Sequence, residues 1–321
     1  MTPVSKSFGF IFLLVVALVS QAFAQQADDG FSLTLVNQLP EPVVVHWESL
    51  DGKRVPQHDD VVPGKGGEIS IKTSPHHIFS YDYGGHRHYV TAPTLEQVAM
   101  EPNRNPVIIL TAEKTEILVD CMVTSHGRKK ANIPLRIRVI PWWSPRGATR
   151  FLDLVRAGYY NEVALHRSVP NFLTQFGISS NVELRQKFLN QRIYDDPLPR
   201  QTNFSRIMFQ PGFMSFAGSG DNSRTTEVFI VQPGTTQRQL NHFGTNSWET
   251  PFGLVDFVEE TPVPDFYSYG DIQPFGEGPD PAKIYEDNGY DYLKQNFPKM
   301  DIIQQCNVIE ISAEDVGGGD L

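Results

Sequence analysis

Cysteine is scarce in this chain. Cys121 and Cys306 are its two instances in 321 residues, too few for a small domain stapled by several disulfides, so the fold has to rest on hydrophobic cores. Positive charge is also in short supply. Lysine and arginine number 27 against 37 aspartates and glutamates, a formal net charge of −10. The dense basic run Arg128-Lys129-Lys130 is too short to reverse that balance. A phosphate-binding surface is excluded on these terms, and no nucleic-acid partner is expected. Low-complexity tracts and blocks of like charge are missing, which with 40% hydrophobic and 20% charged residues excludes bulk disorder. Apolar runs long enough to cross a bilayer, roughly 20 residues, are missing as well.

The nearest approach to such a run is Phe8 to Val19, which follows Lys6 and precedes Ala22-Phe23-Ala24 and Gln25-Gln26. Basic, then apolar, then small residues is the order of a secretory signal peptide, here residues 1–24. The expectation is a protein of the secretory pathway, extracellular or in an endomembrane lumen, with no membrane span after cleavage. The remaining length is more than one core usually organises, so two domains are expected.

Between residues 31 and 112 short apolar stretches alternate with turn residues. Ser32 to Val36, Val43 to Trp47, Glu68 to Ile71 and Val107 to Leu110 read as strands, with Asp51-Gly52 and Pro63-Gly64-Lys65-Gly66-Gly67 as turns between them. A small β-sandwich is the physical reading. The histidines His76, His77, His86 and His88 cluster in sequence, yet no cysteine lies nearby and carboxylates are not at ligand spacing, so they read as ordinary strand histidines and no metal is expected.

The order of Asn37, Pro40, Val43-Val44, Trp47, Asp51-Gly52, Pro63-Gly64 and Gly66 resembles the von Hippel-Lindau β-domain. That resemblance implies a sheet that grips hydroxyproline-containing peptides, with His77 and Phe79 at the matching pocket positions.

A junction is expected between Thr111 and Thr115, with a second domain over residues 115–312 and a flexible tail over 313–321. Glu116 to Val123 and Pro134 to Ile140 read as strands. Ser144-Pro145 then suits a helix start, Ala148, Phe151, Leu152 and Val155 fall on one helical face, and Gly158 supplies the stop. Tyr290 to Phe297, ended by Pro298, is a further helix candidate inside an aromatic, turn-rich stretch from Tyr267 to Lys299.

Three motifs follow the first helix in order: Gly158-Tyr159 leading to His166-Arg167 and Phe172-Leu173-Thr174-Gln175; Phe213-Met214-Ser215-Phe216-Ala217-Gly218 continuing to Glu227-Val228-Phe229; and Phe252-Gly253-Leu254-Val255. Together they resemble the cyclophilin family. The resemblance implies a mainly β fold, a closed antiparallel β-barrel flanked by helices. It further implies a peptidyl-prolyl cis-trans isomerase that needs no cofactor and acts on proline-containing polypeptides, or a catalytically weak module that binds them. Carried over by position, Arg167 is the catalytic guanidinium and Gln175 orients it. Phe172, Leu173 and Phe229 line the proline pocket, His166 and Glu227 stand beside it, and the backbone at Ala217 and Gly218 binds the residue before proline. The sequence departs from the family at Glu227, where glutamine is usual, at Gly218, where asparagine is usual, and at Leu173, where methionine is usual. The first departure puts a carboxylate within reach of Arg167, and Trp248 is a candidate for part of the pocket wall. Because first and last strands are neighbours in such barrels, the resemblance also implies a disulfide between Cys121 and Cys306.

Overall fold

Alternation of apolar and polar side chains builds the first part of the chain. In β1 (Phe31–Asn37) Leu33 and Leu35 are fully buried while Ser32, Thr34 and Val36 lie between them at the margin, so one face turns to a core and the other to water. The computed structural model describes residues 30–309 apart from 50–52, 58–61, 76, 85, 94–97, 100–104, 112–115, 127–130 and 197–206. The signal-peptide segment and the tail lie outside the described residues. Those that are described fall into two compact units that divide near residue 112.

In the first unit β2 (His46–Glu48), β3 (Arg54–Pro56), β4 (Gly67–Thr73), β5 (Ile78–Tyr83), β6 (His86–Thr91) and β7 (Val107–Leu110) join β1 in two sheets, ordered β4-β1-β7 and β3-β2-β5-β6. Leu33, Leu35, Ile71 and Leu110 from one sheet and Phe79 and Tyr81 from the other share a single core, which is a β-sandwich. The β1–β7 pair is parallel, unlike the other pairs of this unit.

The second unit is a nine-stranded antiparallel sheet curled around its own apolar face. Its members are β8 (Ile117–Ser125), β9 (Ala131–Val139), β10 (Val163–Ala164), β11 (Arg167–Val169), β12 (Leu173–Phe176), β13 (Phe213–Phe216), β14 (Val228–Val231), β15 (Pro251–Val255) and β16 (Ile302–Ile309), in the order β10-β16-β8-β9-β15-β13-β14-β12-β11. The expected closed barrel is corrected here, because β10 and β11 at the two ends share no ladder. They are consecutive pieces of chain. Leu165 and His166 run directly from one edge to the other, and the Leu165 N–H is spent on the Asp301 carbonyl at 3.0 Å. The barrel is therefore open in hydrogen bonding but strongly curled, with chain connectivity spanning the gap.

The helix α1 (Pro145–Arg156) starts after Ser144 with proline in its first turn and buries Ala148, Phe151, Leu152 and Val155 against the sheet. Two more helices, α2 (Val182–Leu189) and α3 (Gln237–His242), flank the sheet, and α3 opens with a reciprocal Thr236–Gln239 capping box. In the aromatic stretch α4 (Pro281–Ile284) and α5 (Gly289–Asn296) pack Ile284, Leu293 and Phe297 onto Ala164 and Ile178. Cys121 and Cys306 face each other across the β8–β16 ladder and are disulfide-bonded, closing a sequence separation of 185 residues. Among the described residues no helix is long and apolar enough to cross a membrane.

Candidate functional site

Strand register assembles the site. Arg167 on β11 lies opposite Gln175 on β12, and Gln175 lies opposite Phe229 on β14, so the three form a row across one face of the sheet. Leu173 is two residues from Gln175 and Val231 two from Phe229, which puts them on the same face. The alternate residues Thr174, Phe176, Val228 and Ile230 point the other way, into the buried interior of the sheet. A period of two thus separates core from site within four-residue strands.

The polar half of the site is a chain of hydrogen bonds. Arg167 Nη1 donates to Gln175 Oε1 at 3.1 Å, and Gln175 Nε2 donates to Glu227 Oε2 at 2.8 Å. His166 Nε2 stands 3.3 Å from the same Glu227 oxygen, and the Tyr285 hydroxyl donates to Glu227 Oε1 at 2.7 Å. Burial pushes the Glu227 carboxyl up, but the nearby His166 and the hydrogen bonds from Tyr285 and Gln175 outweigh it, leaving its pKa below the ordinary glutamate value. Burial, and then the Glu227 charge, push the Tyr285 phenol far above its usual range, so it remains a donor.

Glu227, whose carboxylate could pair with Arg167, is held by other groups. The carboxylate on Arg167 is Asp271, from the aromatic stretch, which sequence reasoning did not single out. Arg167 Nε donates to Asp271 Oδ1 at 2.7 Å and Nη2 to Oδ2 at 3.2 Å, a bidentate pair whose side chains are 18% and 27% exposed. Asp271 is placed by its loop. Gly270 bridges to Ser168 on β11, the Ser268 hydroxyl donates to the Ser168 carbonyl at 2.6 Å, and the Gly278 N–H donates to the Asp271 carbonyl at 2.8 Å. A Cβ at Gly278 would stand 2.7 Å from that carbonyl oxygen, so the close approach requires glycine.

The apolar half is a nest of rings. Phe172 stacks on Phe243 with centroids 5.4 Å apart, Phe229 stacks on Phe243 at 5.2 Å, and Phe209 lies 6.2 Å from Phe229. Leu173, Phe213 and Leu240 complete the cluster, and the Arg167 guanidinium carbon sits 5.8 Å from the Phe172 ring centre. Phe209 and Phe243 also went unnoticed in the sequence, because a lone phenylalanine carries no signal beyond its burial. Ala217 borders this cluster and its N–H donates to the Glu227 carbonyl at 2.9 Å. Trp248 packs against Gly218: a Cβ there would fall 2.6 Å from its ring, so the indole occupies the space that an asparagine would need.

In the first unit His77 and Phe79 lie in different surroundings. Phe79 is 1% exposed in the sandwich core, while His77 is half-buried, its ring 5.1 Å from Trp47 and its Nδ1 3.1 Å from the Thr73 hydroxyl. His88 is buried and stacks on Tyr81 at 5.2 Å. Among the described residues no group of three or more histidine, cysteine or acidic side chains is placed to hold a metal ion.

Residues 126–261 match the family model for cyclophilin type peptidyl-prolyl cis-trans isomerase. The chain is 27% identical over 195 residues to peptidyl-prolyl isomerase CWC27 of Mycosarcoma maydis, covering 59% of this chain and 36% of that protein. It is 29% identical over 119 residues to peptidyl-prolyl cis-trans isomerase CYP65 of Arabidopsis thaliana, covering 37% of this chain and 18% of that protein. Similarity to peptidyl-prolyl cis-trans isomerase-like 2 of Neurospora crassa is 26% over 157 residues, covering 48% of this chain and 26% of that protein. The chain thus spans little more than a third, or less, of the length of these relatives. A solved cyclophilin type isomerase of Cryptosporidium parvum is covered completely by 62% of this chain, with 17% identity and a TM-score of 0.39. The secretory-pathway expectation is corrected by these relatives, which are CWC27 and isomerase-like 2 proteins.

Proposed function

We propose that this chain, whose residues 126–261 match the family model for cyclophilin type peptidyl-prolyl cis-trans isomerase, isomerises X–Pro bonds in polypeptides, with Arg167 as the central residue. The observation that carries this reading is the Arg167–Gln175–Phe229 row with Phe172 and Leu173 beside it. Amide resonance sets a barrier of roughly 18–20 kcal/mol, and rotation requires that resonance to be weakened. As the bond twists, the prolyl nitrogen regains its lone pair. A guanidinium N–H aimed at that lone pair stabilises the twisted state more than the planar one, which is what lowers a barrier. In Arg167 the Nε, one Nη1 and one Nη2 hydrogen are engaged by Asp271 and Gln175. Apolar rings beside it take the pyrrolidine, and the backbone at Ala217 and Gly218 takes the preceding residue.

The test is a coupled prolyl-isomerase assay on the full chain. Arg167→Ala is expected to lose on the order of 100-fold in kcat/KM, about 2.7 kcal/mol of barrier. Equal activity of the two proteins would refute the role of Arg167.

A binding module of low turnover is a second reading, favoured by the Asp271 carboxylate on Arg167 and by the mutual packing of Phe172, Phe229 and Phe243. Peptide binding without turnover in the same protein would select it. For the first unit, the likeness to the von Hippel-Lindau β-domain supports a peptide-holding role centred on His77 and Trp47. Pull-downs with matched proline and hydroxyproline peptides test it, and failure of both would leave a scaffold.

A further inference from the structure

We infer that Asp271 is an internal competitor for Arg167, so that a proline-containing substrate enters the site by displacing this carboxylate. The inference rests on the proposed isomerase or proline-binding site and adds the element that governs access to it.

Asp271 grips the guanidinium through two N–H groups, while the ladder partner Gln175 uses one. A bidentate carboxylate holds a guanidinium more strongly than a neutral carbonyl does, and it cancels the charge that would act on the prolyl nitrogen. Both side chains of the pair are partly exposed, so solvent reaches it. The loop that presents Asp271 is docked rather than free: it is fixed at Ser168 next to Arg167 and closed on itself at Gly278. The family match ends at residue 261, so Asp271 comes from chain outside it, 104 positions beyond Arg167. The residues that make the site and the residue that occupies its arginine thus belong to different segments.

A group that must be displaced before binding reduces apparent affinity by the fraction of molecules already open. Removing the charge at constant size should therefore act on KM more than on kcat. With proline-containing peptides and the full chain, Asp271→Asn is expected to lower KM about fivefold or more and to leave kcat within about twofold. Direct titration with the same fluorescent peptide should give a matching fall in Kd. The gain should vanish in Arg167→Ala/Asp271→Asn, since the competition acts through the guanidinium. Thermal melting of Asp271→Asn separates this from a structural role.

A folded Asp271→Asn with unchanged KM and unchanged Kd overturns the inference, as does a loss of affinity in that variant. Absence of turnover in every variant, with tighter peptide binding by Asp271→Asn, would refute the isomerase reading while sustaining the competitor.

Discussion

Tyr285 donates its phenolic hydroxyl to Glu227 Oε1 at 2.7 Å across 58 positions of chain. The bond ties the aromatic stretch to the polar half of the site and gives one lone pair of a largely buried carboxylate its partner. Tyr285→Phe removes the donor and leaves the charge in place. A loss of about 1–3 kcal/mol is expected in chemical denaturation, the cost of leaving a buried acceptor unpaired. In a Glu227→Gln background the same change should cost less, since a neutral amide is cheaper to leave unpaired. Equal costs in the two backgrounds would mean that the hydroxyl works elsewhere.

Glu227 also sets a pH dependence. Its pKa in the folded protein lies below the ordinary value near 4.3, so the folded state favours the carboxylate. A depressed carboxyl contributes stability that is complete above the unfolded pKa and is lost as pH falls through the folded one. The stability of the native protein relative to Glu227→Gln should be flat from about pH 7 to 5 and decline below about pH 4.3. Urea unfolding of both proteins across that range reads it directly, and parallel curves would exclude Glu227 as a source of acid sensitivity.

Gly218 stands where cyclophilins usually carry asparagine, and Trp248 explains it. A Cβ there would meet the indole at 2.6 Å and the Ser223 hydroxyl oxygen at 2.8 Å. Gly218→Asn should therefore fail to improve peptide affinity and should destabilise the unit by about 1–3 kcal/mol through overpacking. Gly218→Asn/Trp248→Ala opens the space and should recover part of the loss. A fully stable single variant with tighter peptide binding would show that the indole yields.

These residues also show what the sequence could and could not convey. The row of Arg167, Gln175 and Phe229 was legible because each lies in a short strand with a spacing of two, and their order along the chain matched a known pattern. Pairing of Cys121 with Cys306 follows the same logic, since it depends on which strands are neighbours. Asp271 was not legible. It sits in a turn-rich segment without periodicity, and its contact with Arg167 depends on a loop conformation built by Gly270 and Gly278. The surroundings of Glu227 were half legible in the same way: its carboxylate could pair with Arg167, but its neighbours His166, Gln175 and Tyr285 come from three other places. The secretory placement rested on the composition of a short segment, a signal that similarity over the folded domain contradicts. The apolar nest was half legible, because phenylalanines in strands announce burial but not which rings meet.

The disulfide gives the last prediction. Cys121 and Cys306 are both nearly fully buried and opposite one another in the β8–β16 register, so strand pairing alone brings the sulfurs together. Closing a loop of 185 residues removes unfolded-state entropy equivalent to about 5 kcal/mol on the chain-entropy model, as a ceiling. For a unit of this size that corresponds to a fall in Tm of up to about 10–20 °C on reduction. Cytosolic and nuclear compartments keep thiols reduced while secretory ones let them pair, so oxidation state and stability have to be measured on the same material. Protein isolated without reductant and alkylated in denaturant should resist labelling at both cysteines, and Cys121→Ser/Cys306→Ser should melt at the temperature of the reduced protein. Full labelling of both residues would instead make them a buried thiol pair, and the reduced and native melting curves would then coincide.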